Sequence, residues 1–408
     1  MIAFRNLIPA LTSLAILSIG LPSIALAQGP VREPGGLPQD VDLATNNPDE
    51  YAWQLFLFIN RQAASGTAGV ADPNRTIREY SDDADVVWET WALASGQGDT
   101  QEKSEVYKAD GSKPVAWLAL PRSVLVAKAL AKNNTAIAML KELLAEQVTL
   151  PAFSPTDVVG GGFEVRMNQA AFEHVSTSEL YNVEGLEAQL KKARTEQNQS
   201  LIQFPKGAKE VKANWVKIEP GKEEQDKRNY HWRKLGNDFY KLTGFHIITK
   251  DLPAWFWSDF EHVDFEPDAL AVGQPSRDRT TRGPNAPAKG TMEGERRELT
   301  GTKWAGYRLR GTQTSFVDER GNPIVVGNTK IEAGFVNRSS CMTCHARASV
   351  GLRTAGPDGK LPDFAATLSG GRRDVGNPKP EEFIKNGVIQ FLQTDFIWSA
   401  PFRASTKK

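Results

Sequence analysis

The spacing of apolar residues divides the chain into a helical first part and a β-rich middle. Asn47-Pro48-Asp49-Glu50 opens a helix, with a capping residue, proline at the first position and an acid three residues after the cap. Ala52, Leu55, Phe56 and Ile59 then fall on one face. A second, short helix is expected over residues 85–94, carrying Trp88 and Trp91, and a long one over 123–147. Gly160-Gly161-Gly162 breaks the pattern, and without a strand–GxGxxG–helix context it is no dinucleotide site. Residues 162–167 and 211–218 read as strands, with a polar helix or insertion over 185–200. The best hairpin runs over 244–250, turns at Asp251-Leu252-Pro253 and returns over 254–263, carrying His246, Trp255, Trp257 and His262. Residues 273–297 have the composition of an exposed loop. A further hairpin pairs 307–316 with 324–326 around Gly321-Asn322, and residues 361–364 and 380–398 close the chain. There is no internal repeat. The expected fold is α+β, with a body over 28–334 (helical over 47–150, β-rich over 158–334) and a C-terminal segment, 335–408, that packs against it.

Residues 28–46, rich in Gly and Pro, predict a loose lead-in, and the 27 residues before them read as a targeting segment. Arg5 supplies a positive start, an apolar run follows, and Ala25-Leu26-Ala27 is the small-x-small pattern that a signal peptidase accepts. The run is too short, and too broken by Pro9, Gly20 and Pro22, to span a bilayer. Cleavage predicts an exported, periplasmic protein with no integral membrane segment. The roughly 380 remaining residues can build a core without disulfide support. Loss of Arg5 takes the 49 basic residues to 48 against 49 acidic ones, a balance that gives no argument for nucleic acid or an anionic membrane.

Export makes the cysteine count informative, because this chain has only two cysteines and both lie within five residues. Ser339-Ser340-Cys341-Met342-Thr343-Cys344-His345 contains C-x-x-C-H, the attachment signature of c-type haem. With Ser339 or Ser340 capping a helix, Cys341 and Cys344 project from one face, where each thiol can form a thioether to a haem vinyl group. His345 is then placed to ligate the iron from the proximal side. A thioredoxin-like pair belongs near a βαβ unit, which is missing here, and a structural zinc site needs four ligands. A lone disulfide across two residues is strained. The expected cofactor is one covalent haem c.

Several stretches together resemble a family of exported bacterial proteins with a single C-x-x-C-H, described as cytochrome c-like. They are Trp53-Gln54-Leu55-Phe56, Val87-Trp88-Glu89-Thr90-Trp91, Gly244-Phe245-His246-Ile247, Trp257-Ser258-Asp259-Phe260-Glu261-His262-Val263-Asp264, residues 339–346 and Leu392-Gln393-Thr394-Asp395-Phe396-Ile397-Trp398-Ser399. The resemblance implies covalent haem and export, and it defines roles only for Cys341, Cys344 and His345.

Beyond His345 the chain has neither methionine nor histidine, so a sixth iron ligand comes from upstream, is an unusual residue, or is absent. Among His174, His231, His246, His262, Met139, Met167 and Met292, the ranking is His262 first, His246 second and Met167 third. Whether His246 and His262 share a side depends on the hairpin register. Arg338, Arg347 and Arg353 are candidate partners for haem propionates. Two functions follow: electron transfer through a six-coordinate iron to a redox partner protein, or a peroxidase- or oxidase-like haem enzyme or small-ligand sensor with an open distal site. The chain's bulk favours the second, and the usual service of covalent haem favours the first. A thiol oxidoreductase without haem is a third.

Overall fold

The computed structural model describes residues 40–82, 84–94, 104–119, 161–235, 237–271, 273, 297–332, 336–351 and 376–408. The expected targeting segment, long helix over 123–147, most of the exposed loop and the 361–364 segment lie outside these residues. The described part is α+β. Helix α1 (Val41–Asn46) is capped by Asp40, whose side chain accepts from the Leu43 amide, so the described end of the expected lead-in is helical. Helix α2 (Pro48–Ile59) starts where proline at the first position predicts. The short helix expected over 85–94 is instead a 3-10 turn, Val87–Thr90, running into strand β1 (Ala92–Leu93). Its Trp88 and Trp91 are both fully buried, so the segment has no solvent side on which to lay a helix.

The body is a seven-stranded antiparallel sheet among the described residues. Strand β2 (Gly161–Met167) pairs with β3 (Lys209–Lys217), and β3 with β5 (Asp238–Thr249). Strand β6 (Phe256–His262) pairs with β5 on one side and β7 (Tyr307–Gln313) on the other. Strand β4 (Trp232–Leu235) pairs with the first part of β5, and β1 adds to β2. The two expected strands and the tryptophan hairpin are therefore present, with β5 beginning six residues earlier than periodicity predicts. The expected pairing of 307–316 with 324–326 holds only at its tip, where the Ile324 amide donates to the Phe316 carbonyl (3.1 Å) beside a bridge between Val317 and Pro323; β7 itself joins β6. The polar helix is present as α4 (Val183–Glu196), after α3 (Gln169–Thr177). Two more helices, α5 (Glu223–Asn229) and α6 (Glu266–Ala271), flank the sheet strands.

Strand alternation gives the sheet two unlike faces. On the front, Phe56 of α2 meets Phe245, Phe260, Trp304 and Tyr307, with ring centroids 4.6–5.9 Å apart. Truncating Phe56 to alanine in such a core costs about 3–5 kcal/mol. On the rear, paired positions carry Glu210, Lys212, His246, Asp259, Trp257 and Gln313. On this face Glu210, Asp259, Trp257 and Gln313 are buried, and Lys212 and His246 are half-buried. The C-terminal segment reaches it through helix α7 (Cys341–His345), followed by β8 (Ser349–Gly351), α8 (Pro380–Phe383), the β9–β10 ribbon (Ile384–Lys385 and Val388–Ile389), β11 (Phe391–Gln393) and α9 (Ser399–Arg403). Strand β8 pairs with β11, and α4 packs against both.

Candidate functional site

Helix α7 is held onto the sheet by Gln313 of β7. The Met342 amide donates to Gln313 Oε1 (3.1 Å), and Gln313 Nε2 donates to Ser340 Oγ (3.0 Å). Ser340 is the N-cap residue, but its side chain makes no capping bond, so the sheet does what the serine was expected to do. Cys341 and Cys344 are one helical turn apart and not joined as a disulfide. Burial pushes Cys344 up to about 11, and burial with Glu332 and Asp259 raises Cys341 well above the usual thiol range. Both stay protonated at neutral pH. A redox pair needs a stabilised thiolate, so burial of these thiols lends the thiol oxidoreductase no support.

His345 lies against Trp257, ring centroids 4.6 Å apart, so the tryptophan hairpin is the wall beside the motif. Its Nδ1 is 2.7 Å from the Phe396 carbonyl. A carbonyl only accepts, so Nδ1 carries the proton and Nε2 keeps its lone pair. Burial lowers the imidazole to about 3, which keeps it neutral. The backbone that delivers this carbonyl is unusual: Asp395 and Phe396 both have positive φ, 49° and 70°. Such a pair of side-chain-bearing residues persists only when the surroundings hold it. Asp395 accepts from Lys250 Nζ (2.6 Å) and from the Phe204 amide (2.7 Å).

The three distal candidates fare differently. His262 is on the front face, stacked on Tyr230 at 3.8 Å and bonded to the Asn229 carbonyl at 3.2 Å, with burial lowering it to about 4. Trp257, which touches His345, is five residues away on the same strand and so on the other side. The sequence ranking of His262 first is therefore not matched by its position. Met167 is buried on the rear face, paired with Glu210. Three strand spacings, about 14 Å, separate its strand from that of Trp257. His246 is on the rear face, close enough for its charge to act on His345. Its Nε2 points between Asp259 Oδ1 (3.5 Å) and Glu332 Oε2 (3.4 Å). Burial opposes its protonation, but Glu332 and then Asp259 raise it. Burial, opposed by His246, pushes Asp259 up to about 7. Asn328 fixes both acids, donating from Nδ2 to Asp259 Oδ1 (3.0 Å) and from its backbone amide to Glu332 Oε2 (2.7 Å). Asn328 can cross the sheet there because residue 244 is glycine; a Cβ would strike its side chain.

No family model, curated protein or solved structure matches the chain. The site therefore has to be judged on its own chemistry. Two unpaired thiols a turn apart, followed by a neutral imidazole with Nδ1 tied to a carbonyl, are the donors that a covalently attached haem needs. Arg347 is not a free propionate partner, since it is committed to Glu382 and to the carbonyls of Thr343 and Gly376. Sequence reasoning missed Lys250, Asp395, Asn328 and Glu332. Asp395 and Phe396 stand within a stretch that carries the cytochrome c-like resemblance, and Asp259 within another. Glu332 and Asn328 carry no local signal.

Proposed function

We propose that this is an exported, periplasmic c-type cytochrome. Cys341 and Cys344 hold one haem by thioethers, and His345 supplies its proximal ligand. The observation that carries the reading is the 2.7 Å bond from His345 Nδ1 to the Phe396 carbonyl, which leaves Nε2 as the free donor. When bound, haem supplies a one-electron iron couple. The chain's own part is to hold His345 neutral, to fix its ring between Trp257 and the Phe396 carbonyl, and to bury Cys344 while leaving Cys341 half-buried. Electron transfer to a redox partner protein is the primary role.

A second reading, a haem enzyme or small-ligand sensor with an open position on the iron, has its own support. His262 faces away from the motif, and His246 Nε2 is turned to two carboxylates. Such a protein acts on a small-molecule substrate rather than a docked partner.

The test is an absorption spectrum of protein exported alongside a cytochrome c maturation system, taken oxidised, reduced, and reduced with carbon monoxide. Sharp low-spin bands indifferent to the gas support electron transfer, and a high-spin spectrum that shifts supports the open site. Replacing Cys341 and Cys344 with alanine should abolish haem that survives denaturation. No haem bands in the wild type would overturn the proposal.

A further inference from the structure

The geometry points to a second site on the rear face, in which His246, Asp259 and Glu332 bind one divalent first-row transition ion such as Zn²⁺ or Mn²⁺. His246 on β5 and Asp259 on β6 are directly paired in the sheet, so their side chains leave the same face side by side. Glu332 approaches from the segment after β7. One ligand atom from each of the three lies within 4.8 Å of the others.

The separations suit an ion. An ion bound at about 2.0–2.2 Å in tetrahedral geometry sets neighbouring donors about 3.3–3.6 Å apart. His246 Nε2 lies 3.5 Å from Asp259 Oδ1 and 3.4 Å from Glu332 Oε2. These distances are long for hydrogen bonds. His246 Nε2 and Asp259 Oδ2 are buried and lack any hydrogen-bond partner, although Asp259 is fully buried. Buried polar atoms left in this way call for a ligand or an ion.

Charge points the same way. Asp259 and Glu332 both face the His246 ring, and their joint charge favours a cation between them. Lys212, on the neighbouring strand, acts on Glu332 while its ammonium lies over the Phe163 ring at 4.6 Å, and Arg310 acts on Asp259, so the acids are only partly offset. One nitrogen and two carboxylate oxygens select a first-row ion over Ca²⁺, which takes six to eight oxygens. Asn328 orients two of the three ligands, as outer-shell partners of metal sites do. Three protein ligands leave a position open for water or substrate. Glu332 and Asp259 both act on the Cys341 thiol, so an ion here is electrostatically coupled to the motif.

The experiment uses the full exported chain, stripped with a chelator and dialysed against Zn²⁺ or Mn²⁺. Bound metal is counted by mass spectrometry and haem separately by absorbance. The expected result is about one ion per chain, whether or not haem is attached, with Ca²⁺ unable to compete. His246→Ala should weaken binding by at least 10-fold and Asn328→Ala by about 10–100-fold, while His262→Ala leaves it unchanged. If His246→Ala fails to fold by circular dichroism, Glu332→Gln takes its place with the same expected loss. No saturable binding by the wild type, equal competition by Ca²⁺, or unchanged binding in the folded ligand variant would overturn the site. Because haem is counted independently, loss of the metal and loss of the haem reading are distinguishable.

Discussion

Lys250→Met tests the link between the buried ion pair and His345, the proposed proximal ligand. Lys250 Nζ is 2.6 Å from Asp395 Oδ1, with side chains 8% and 2% exposed. The substitution keeps the apolar stem and removes the charge. Asp395 is left buried with the Phe204 amide as its remaining donor on this side. Breaking one partner of a buried pair costs about 3–5 kcal/mol, chiefly because the other charge stays uncompensated. That is a large part of a folding free energy of about 5–15 kcal/mol. Adding Asp395→Asn removes the orphaned charge, and asparagine tolerates positive φ. The double variant should therefore be more stable than Lys250→Met alone, by about 1–3 kcal/mol. Urea unfolding followed by tryptophan fluorescence measures both. A cost below about 1 kcal/mol for Lys250→Met, or no recovery in the double variant, would refute the desolvated pair. A second readout separates positioning from stability. Loosening Asp395 and Phe396 weakens the carbonyl's hold on Nδ1–H, which lowers the donor strength of the imidazole and raises the haem midpoint potential. An unchanged potential would confine Lys250 to holding the fold.

His262→Ala should leave the visible spectrum of the haem-loaded protein unchanged and lower stability by about 1–3 kcal/mol, since the ring stacks on Tyr230 on the front face. A changed spin state would return His262 to the iron. Acid should destabilise the front-face network of Glu89, His231 and Arg233. Burial raises Glu89, but Arg233 and His231 outweigh it and hold the carboxyl at about 2; burial and Arg233 lower His231 to about 4. Both folded values lie below the ordinary ones, so the unfolded chain takes each proton first. Stability should fall as pH drops from about 6.5 to 4 through His231, and further from about 4.5 to 2 through Glu89. Urea midpoints across that range check this, and Glu89→Gln should flatten the lower part; an equal slope in the variant would rule the network out.

The strands were legible because their front faces alternate with apolar residues, and the motif was legible because five consecutive residues define it. The distal side was not, and the hairpin shows why. The strand ends expected from sequence pair Lys250 with Ala254, a register that puts His246 and His262 on one face. In the structure Thr249 pairs with Phe256 and His246 with Asp259, a shift of one residue. That shift sends His262 to the apolar front, under Tyr230 and against Tyr307, and leaves His246 on the rear among carboxylates. Periodicity also misjudges the rear face in kind. Lys212, His246 and Asp259 alternate with apolar residues as solvent-facing positions do, yet Asp259 is fully buried because the segments carrying Glu332 and Cys341 close over it. The closing segments come from more than 70 residues away in the chain, so no local pattern announces them. A sheet that buries Asp259 and Glu210 on the face where the Cys341–His345 helix packs holds acids there at a cost to stability, a cost that the proposed haem and ion would put to use.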